Sequence, residues 1–525
     1  MSYNIKKEEN DNLFKGAAIL TLSVIIVKLI GFIYKLPLSY VLGDEGMGFF
    51  NSAYTVFGFF YLLCTGGIPR AISIITAGEN DLQRSKKILK YSLGFFVTVG
   101  FAFTLCLFIF SGVIANFIGN SLARFSLVCI APSLTFVSAS GVLRGYLSGK
   151  SKLGAIAASE VLEGLVKFIV GLALALYASR QKYSVYIISA YTVLGVTLGS
   201  FVSALFLYVF AKTQKTSDNI RQNNGFNPTL SSTVRSIITI GLPITVSSFI
   251  GGLYTIIDLL LIVNGLRAGG LSEANAVSVY GNYTTLVMPM LTLSLAVLAP
   301  LSTAWLPKLV RSAKNNSNRE DFSHNSAFLF SLTASISIPM ACVFFYFSRQ
   351  ILTMLFKADS AILGYKNLRL LSASVLFLPL LTAMNSSHEA SKKVKYPLIA
   401  LSVGAIFKFI SEYIMLYLYD FGIKSAPIST NFGYGIALLV SLAFAFGKTG
   451  VKVSIYESLF LPLAFSLISY FTAKKFFCFL DRDLRQFLNL CLSLILGSLI
   501  YGILTLIFRR KFAREFLKFV VIHKK

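Results

Sequence analysis

The amino-acid sequence predicts an all-α polytopic membrane protein, and three observations lead to this fold class. The chain of 525 residues is 55% hydrophobic and only 13% charged, with a mean hydropathy of +0.72, a balance that soluble globular domains do not show. Apolar runs of about 20 residues, the length that crosses a bilayer, recur along the whole chain. The two halves of the chain also repeat one another. We therefore predict fourteen transmembrane helices, arranged as two six-helix bundles plus two extra C-terminal helices.

The apolar runs give the approximate limits of these helices. In chain order they are 14–41, 48–76, 88–113, 122–144, 153–178, 184–211, 236–264, 277–306, 326–348, 363–386, 396–419, 426–447, 453–473 and 486–508. The predicted domains are an N-terminal bundle at 1–211, a cytoplasmic linker at 212–235, a C-terminal bundle at 236–450, helices 13 and 14 at 451–508, and a basic cytoplasmic tail at 509–525.

An internal repeat supports the division into two bundles. The segment 143–169 aligns without a gap on 384–410, and both contain the triplet Lys-Phe-Ile, which begins at Lys167 and at Lys408. Because six is an even number, both bundles insert with the same orientation, and the pseudo-twofold axis runs along the membrane normal. A cavity between two such bundles is the expected place for a substrate.

The distribution of basic residues indicates the topology. The formal net charge is +26, and the Lys and Arg residues cluster in loops on alternate sides of successive apolar runs, which is typical of membrane topology and not of nucleic-acid binding. With the N-terminus inside, their excess places both termini in the cytoplasm. The first apolar run is longer than the hydrophobic region of a signal peptide, so we expect a retained helix.

The residues that could support catalysis or hold a cofactor form no recognisable set. The six cysteines are scattered singly, without a CxxC pair, as is typical of core residues and not of a metal site. The Gly-Lys-Ser run at Gly149 and the Gly-Lys-Thr run at Gly447 lack the earlier glycine and the strand of a phosphate loop. We expect no enzyme activity, no cofactor and no metal, and a transport step driven by an ion gradient or the membrane potential.

Three cations lie within apolar segments, namely Lys28, Lys35 and Arg70. Lys28 and Lys35 are separated by about two helical turns, so they project from one face of the first helix. Each unpaired charge at a helix centre costs roughly 2.5 to 3.5 kcal/mol, a large share of a typical stability of about 5 to 15 kcal/mol. A water-filled cavity that receives an anion would offset this cost. The alternative is that Lys35 and Arg70 reach the membrane surfaces through their long side chains.

Further ionisable residues lie in other apolar segments. They are Glu160, Glu163, Lys167, Asp258, Lys408 and Glu412. Glu163 and Lys167 are spaced i, i+4, as are Lys408 and Glu412 in the matching helix, so each pair can neutralise itself within its own helix. For Glu163 and Lys167 this pairing and a functional role both stay open. Asp258 has no such partner in its own helix, and we predict that it meets Lys408 or Glu412 in the second bundle.

Several motifs in a fixed order are similar to those of a known family. They are Gly-Phe-Ile-Tyr-Lys-Leu-Pro-Leu at 31–38, Leu-Gly-Asp-Glu-Gly-Met-Gly at 42–48, Gly-Ile-Pro-Arg-Ala-Ile-Ser at 67–73, Leu-Arg-Gly-Tyr at 143–146 and Tyr-Gly-Asn at 280–282. In these motifs the chain resembles the stage V sporulation protein B family of polysaccharide-biosynthesis transporters. That family belongs to the MOP exporter superfamily, together with MurJ, Wzx and the MATE transporters. The resemblance covers residues 14–450.

The resemblance implies a MOP/MATE-like fold and a flippase of the bacterial plasma membrane. The implied substrate is an undecaprenyl-diphosphate-linked sugar, in particular lipid II, which is moved from the inner to the outer leaflet by alternating access. MurJ-like members line their central cavity with arginines. Lys28 matches one of these by position, and another falls near Tyr34 and Lys35. We expect Arg144 to attract the diphosphate, and Lys28, Lys35 and Arg70 to hold it.

The resemblance also bears on ion coupling and on the lipid tail. MurJ-like proteins have a sodium site in the second half, and the matching positions here hold Asp258 and the run Lys-Phe-Ile-Ser-Glu at 408–412. The hypothesis is that the Lys408 ammonium takes the place of the bound cation. Helices 13 and 14, which lie outside the repeat, would provide a groove for the tail or merely broaden the lipid-facing surface.

Other functions stay open at this point. A MATE-like multidrug exporter would pump cationic compounds and would need an acidic cavity, against which the cations of the first helix argue. A Wzx-like flippase would carry another lipid-linked oligosaccharide. A scaffold for envelope assembly would bind the cell-wall synthesis machinery without transporting anything.

Overall fold

The structure is a computed structural model that describes residues 2–79, 81–213, 229–314, 319–480, 486–512 and 514–515. Within these ranges all regular secondary structure is helical. The prediction of an all-α, multi-pass membrane protein is therefore confirmed. Most of the predicted linker at 212–235 and most of the basic tail at 509–525 lie outside the described residues.

Seventeen α-helices make up most of the part of the chain that the structure describes. They are α1 (Ser2–Thr65), α2 (Ile68–Ala77), α3 (Leu82–Ile109), α4 (Ser111–Phe117), α5 (Arg124–Ile130), α6 (Ser133–Gly149), α7 (Leu153–Arg180), α8 (Val185–Thr213), α9 (Leu230–Ala268), α10 (Glu273–Asn282), α11 (Met288–Lys314), α12 (Arg319–Leu355), α13 (Ala358–Ala390), α14 (Lys395–Tyr413), α15 (Ser425–Phe444), α16 (Leu461–Leu480) and α17 (Gln486–Phe508). Short π-helical segments adjoin some of them, at Tyr283–Val287, Ile414–Leu418, Ala445–Thr449 and Tyr456–Phe460.

The longest helix, α1, is broken at Gly43. This residue has φ of 66° and ψ of −178°, a backbone conformation that only glycine adopts readily. Pro37 lies one and a half turns earlier and removes one backbone donor from the helix. The break divides α1 into the parts 2–42 and 44–65.

The structure contains fewer helices that are long and apolar enough to cross a membrane than the fourteen predicted, among the described residues. Twelve helices among the described residues are long and apolar enough to cross a membrane, or thirteen if the bent pair Ser121–Ile130 and Ser133–Gly149 is one span. The count takes Leu22–Ala77 as a single span of 56 residues, although Gly43 breaks it. The total of fourteen therefore stays a prediction.

The first compact unit comprises Met1–Thr285. In this unit α9 and α10 approach α1 and α2 most closely at glycines. A Cβ atom added to Gly67 would lie 1.9 Å from the carbonyl oxygen of Gly241, and one added to Gly281 would lie 1.9 Å from the carbonyl oxygen of Asp44. Because the backbones touch at these places, a larger residue fits only if a helix moves.

We expect Gly281→Ala to destabilise the protein by about 1 to 3 kcal/mol, because the added methyl group overpacks the contact between α10 and α1. The measurement is the denaturation midpoint of the purified protein in detergent. Gly94→Ala is the matched control, since a Cβ there would meet no atom within 4 Å. Equal midpoints for the two variants would contradict the prediction.

The second compact unit comprises Leu286–Lys525. Its last two helices, α16 and α17, pack against α12 through buried side chains. These include Cys342, Phe347, Tyr470, Phe477 and Leu490. Just beyond α17, the Arg509 guanidinium donates hydrogen bonds to the hydroxyl oxygens of Ser335 at 2.7 Å and Ser331 at 2.5 Å. These contacts fasten the end of α17 to α12.

The border between the compact units differs from the bundle limits that the repeat predicts. The units divide at residue 285, whereas the repeat places the bundles at 1–211 and 236–450. The difference arises because α9 and α10, which follow the predicted linker, pack within the first unit. Compact units are defined by which residues pack together, whereas the predicted bundles are defined by the repeat in the sequence. The two divisions describe different properties, so the predicted domain limits stay a prediction.

Candidate functional site

The first unit contains a cavity of about 360 Å³. Both parts of α1, together with α6, α7 and one residue of α8, form its walls. The lining residues are Val24, Val27, Lys28, Ile30, Gly31, Tyr34, Tyr54, Phe57, Gly58, Tyr61, Arg144, Glu160, Glu163, Gly164, Lys167 and Val196. Its volume lies in the range of about 300 to 1,000 Å³ that small-molecule sites occupy. Four predicted substrate or charge-pair residues besides Lys28 therefore come together here.

Lys28 differs from the other cavity cations, Arg144 and Lys167, in its contacts. Its side chain is exposed and lines the cavity, and it forms no ion pair or hydrogen bond with any residue that the structure describes. Next to it, Gly31 has open space where a side chain would lie, because a Cβ there would meet no atom within 4 Å. The ammonium group of Lys28 is therefore available to an anionic ligand in this cavity.

Lys35, two turns further along α1, lies outside the set of residues that line the cavity. Its Nζ atom donates a hydrogen bond to the backbone carbonyl oxygen of Thr284 at 3.1 Å. Thr284 belongs to the π-helical segment Tyr283–Val287, in which the hydrogen-bond ladder is shifted from the α pattern. Lys28 and Lys35 are about 10 Å apart along the helix axis. They therefore have different neighbours although they lie on the same face of the helix. The substrate role predicted for Lys35 stays a prediction.

Arg70 lies near the start of α2 and does not line the cavity. Its side chain is exposed, and it makes no hydrogen bond or ion pair with a described residue. The preceding Pro69 packs closely on α6, since a Cβ on Gly145 would lie 2.6 Å from the Pro69 carbonyl oxygen. The predicted contact of Arg70 with the substrate stays a prediction.

Arg144 is held by two carboxylates of α7. Its Nη2 atom lies 2.7 Å from Glu163 Oε2, and its Nη1 atom lies 4.0 Å from Glu160 Oε1. Nη2 also donates a hydrogen bond to the hydroxyl of Ser203 at 3.1 Å, and the hydroxyl of Ser200 donates to Glu163 Oε1 at 3.3 Å. Charge-assisted hydrogen bonds of this kind are among the strongest in proteins. Arg144 therefore joins α6 to α7 and α8.

Glu163 and Lys167 do not pair with each other within α7, although their spacing would allow it. Glu163 bonds to Arg144 of the neighbouring helix, while the Lys167 Nζ atom donates a hydrogen bond to the Tyr54 hydroxyl at 3.1 Å. Lys167 also lies over the Tyr54 ring at 4.3 Å and over the Tyr34 ring at 5.7 Å. The guanidinium offers two donors in the fixed geometry that a carboxylate accepts, which an ammonium does not.

Tyr34 is one of the residues that line the cavity. Its side chain is buried, with its ring against those of Phe50 and Phe168 at centroid distances of 6.3 and 5.8 Å. Its hydroxyl fits against a glycine of α7, since a Cβ on Gly171 would lie 2.1 Å from that oxygen. Tyr34 therefore lines the cavity with its ring and positions α7 with its hydroxyl.

The second unit contains a buried ion pair within α14. Lys408 Nζ lies 3.6 Å from Glu412 Oε2, and both side chains are fully buried. Lys408 also donates a hydrogen bond to the Thr430 hydroxyl at 2.6 Å, and the Ser429 hydroxyl donates to Glu412 at 3.0 Å. The predicted pairing of Lys408 with Glu412 is confirmed. Asp258 is buried in the first unit, and its predicted contact with this pair stays a prediction.

A groove in the second unit bears on the lipid tail. It encloses about 310 Å³, and α12, α16 and α17 form its walls. Its residues are mostly apolar, and they include Ile336, Pro339, Val343 and Phe344 of α12. The two helices outside the repeat border this groove, and its occupation by a lipid tail stays a prediction.

Sequence reasoning missed two features of the cavity. It expected Arg144 to attract the diphosphate and gave it no acidic partner, although Glu160 and Glu163, spaced i, i+3, already indicated an acidic face on α7. It also overlooked the aromatic residues of α1, whose spacing of three and four residues was visible in the sequence. The resulting cavity holds three cations and two carboxylates, so its net charge is positive but smaller than the first helix alone suggested.

Comparisons with known proteins agree with this architecture. Residues 13–313 match the family described as polysaccharide biosynthesis protein. The chain is 25% identical over 505 residues to stage V sporulation protein B of Bacillus subtilis (strain 168), and the alignment covers 94% of this chain and 95% of that protein.

Two solved structures are also similar. One is the lipid II flippase MurJ in an inward closed conformation, with a TM-score of 0.75 at 16% identity over 94% of this chain and 99% of that chain. The other is an inward-facing multidrug resistance MATE family transporter of the MOP superfamily, with a TM-score of 0.67 at 15% identity over 82% of this chain and 98% of that chain. At these identities the structures show a shared fold. Since the family match spans more than half of the sequence, the chain belongs to the polysaccharide biosynthesis protein family of multi-pass membrane proteins.

Proposed function

We propose that this chain is a flippase for undecaprenyl-diphosphate-linked precursors of the bacterial cell envelope, with lipid II as the foremost candidate. It would move them from the inner to the outer leaflet of the plasma membrane by alternating access, with both termini in the cytoplasm. The lipid II flippase MurJ has the same fold, which supports this proposal. It is also consistent with an association with the cell-wall synthesis machinery.

The observation that carries the proposal is the ammonium of Lys28, which pairs with no described residue, in a cavity of net positive charge. Arg144 is balanced by Glu163 and Glu160, and Lys167 is bound to Tyr54, so Lys28 is left to meet a ligand. A diphosphate would satisfy this group through charge-assisted hydrogen bonds. The membrane potential would then act on the charge of the loaded cavity.

A lipid-flipping assay tests the proposal. The purified protein is reconstituted into vesicles that contain fluorescent undecaprenyl-diphosphate-linked N-acetylhexosamine, and the lipid that becomes accessible to an external quencher is followed over time. We expect faster exposure than in protein-free vesicles. The assay is repeated with fluorescent lipid II. No acceleration with either lipid would overturn the proposal, whereas acceleration of the first lipid but not of lipid II would favour the Wzx-like alternative.

A MATE-like drug exporter is the second candidate, because the MATE fold is shared and the cavity contains two carboxylates. Both carboxylates, however, lie beside the Arg144 guanidinium, which reduces their attraction for a cationic drug. Ethidium efflux from cells that produce the protein separates the two candidates. Efflux that depends on Glu160 and Glu163 would favour the exporter.

We expect Glu163→Gln to increase the affinity for undecaprenyl diphosphate by roughly 3- to 10-fold, because the charged carboxylate competes with the ligand for Arg144. The substitution keeps the shape of the side chain and raises the net charge of the cavity. Binding to the purified protein in nanodiscs is the measurement. Glu273→Gln, which removes a carboxylate outside the cavity, serves as the control. A weaker affinity of Glu163→Gln would show that Glu163 helps to build the site.

We expect transport to proceed equally well in sodium and in potassium buffers, within about twofold. The reason is that the Lys408 ammonium already lies beside the Glu412 carboxylate and would occupy the position of a bound cation. Flipping rates in sodium-free vesicles test this expectation. Strict dependence on sodium would contradict it.

A further inference from the structure

One side of the cavity in the first unit is aromatic, and the charged residues do not account for it. Phe50, Tyr54, Phe57 and Tyr61 are spaced by four, three and four residues along α1, which places them on one helix face. Consecutive ring centroids lie 5.8, 5.9 and 5.7 Å apart. Tyr54, Phe57 and Tyr61 line the cavity. These three residues are called the aromatic wall below.

Open space adjoins the aromatic wall. Gly58 lies between its residues on α1, and Gly31 lies on the other part of the same helix; both line the cavity. A Cβ atom added to either glycine would meet no atom within 4 Å. The rings also differ in exposure, since 36% of Tyr54 and 5% of Phe57 are accessible, with Tyr61 half-buried. Because Lys167 lies over the Tyr54 ring and Phe57 is almost fully buried, Tyr61 is the ring of the wall that a flat group of the ligand can approach.

The acidic groups of the cavity fit a ligand that is not purely anionic. Glu160 and Glu163 would repel a diphosphate that lay beside them, and they are only partly neutralised by Arg144. Carboxylates accept hydrogen bonds from hydroxyl groups, and guanidinium and ammonium groups donate to hydroxyl oxygens. A sugar offers hydroxyl groups around its edge and a less polar C–H surface on its faces. The combination of an aromatic wall with carboxylates and cations suits such a group.

We propose that Tyr61 of the aromatic wall stacks against a sugar ring of the lipid-linked glycan while Lys28 holds the diphosphate. This inference rests on the proposed function and assigns the glycan part of its substrate to named residues. Aromatic side chains supply a large, rigid contact area with few rotatable bonds, so they lose little entropy when a ligand packs on them. The sugar hydroxyls would then reach Glu160 and Glu163 at the edge of the ring. The wall would serve any glycan that presents a pyranose face.

Two lipids that differ only in the sugar separate this inference from the proposed function. The probes are undecaprenyl diphosphate and undecaprenyl-diphosphate-linked N-acetylglucosamine, with undecaprenol as the uncharged reference. Their dissociation constants are measured on the full-length protein in nanodiscs. The variants are Tyr61→Leu, which removes the ring, Tyr61→Phe, which keeps it, and Gly58→Leu, which fills the open space.

We expect Tyr61→Leu and Gly58→Leu to weaken the binding of the glycosylated lipid by roughly 2- to 10-fold, with less than a twofold change for undecaprenyl diphosphate. Tyr61→Phe should behave as the unaltered protein does. Equal losses on both lipids, no loss on either, or a loss in Tyr61→Phe equal to that in Tyr61→Leu would overturn the stacking. If the unaltered protein binds undecaprenyl diphosphate no better than undecaprenol, the proposed function itself fails.

Discussion

Lys28→Met is expected to weaken the binding of undecaprenyl diphosphate by roughly 10- to 100-fold, because a hydrogen bond to a charged group contributes about 1.5 to 3 kcal/mol. Methionine keeps most of the length of the side chain and removes its charge together with its hydrogen-bond donors. Lys28 makes no ion pair within the described residues, so the substitution leaves no carboxylate without a partner. The loss therefore reports on the ligand and not on a broken protein contact.

The effect of Lys28→Met is measured as the dissociation constant in nanodiscs and as the flipping rate in vesicles. Lys28→Arg restores the charge and should recover most of both. Arg180→Gln removes one positive charge at the exposed end of α7 and should change neither by more than about twofold, because exposed charges are screened by solvent and salt. If Lys28→Met and Arg180→Gln weaken binding equally, the ligand is attracted by the overall positive charge of the protein. A specific contact with Lys28 in the cavity would then be contradicted.

The sequence allowed accurate prediction of the limits of some helices and poor prediction of the contacts between helices. The predicted span 486–508 coincides with α17, and 184–211 differs from α8 by only one residue at the start and two at the end. Apolar runs identify such segments because the bilayer requires a fixed length of them. The close approach of Gly281 to Asp44 depends on residues far apart in the chain, so no local pattern indicated that α10 packs within the first unit.

The same limit applies to the charged residues. Lys408 and Glu412 could be paired from the sequence because they lie on one helix at i, i+4. Glu163 satisfied the same rule with Lys167, yet it pairs with Arg144, because a neighbouring helix brings a better donor within reach. The rule applies to isolated helices, and a packed bundle offers partners that spacing alone does not indicate.

Lys408→Met is expected to destabilise the protein by about 3 to 5 kcal/mol, because it removes the ammonium that lies 3.6 Å from the buried Glu412 carboxylate. Both side chains are fully buried, so water cannot replace the lost ammonium. This cost is a large share of the stability of about 5 to 15 kcal/mol that is typical of proteins. The denaturation midpoint in detergent is the measurement, and the expression level of folded protein is a second one.

The double variant Lys408→Met with Glu412→Leu should recover part of that loss, since it also removes the buried carboxylate that faces the missing ammonium. A double-mutant cycle then gives the coupling between the two residues. Sodium provides a further readout. If the ammonium occupies the position of a cation beside Glu412, added sodium should raise the midpoint of Lys408→Met and leave the double variant unchanged. A single variant as stable as the unaltered protein would mean that Glu412 is protonated or paired elsewhere, and Lys408 would then not act as a built-in cation.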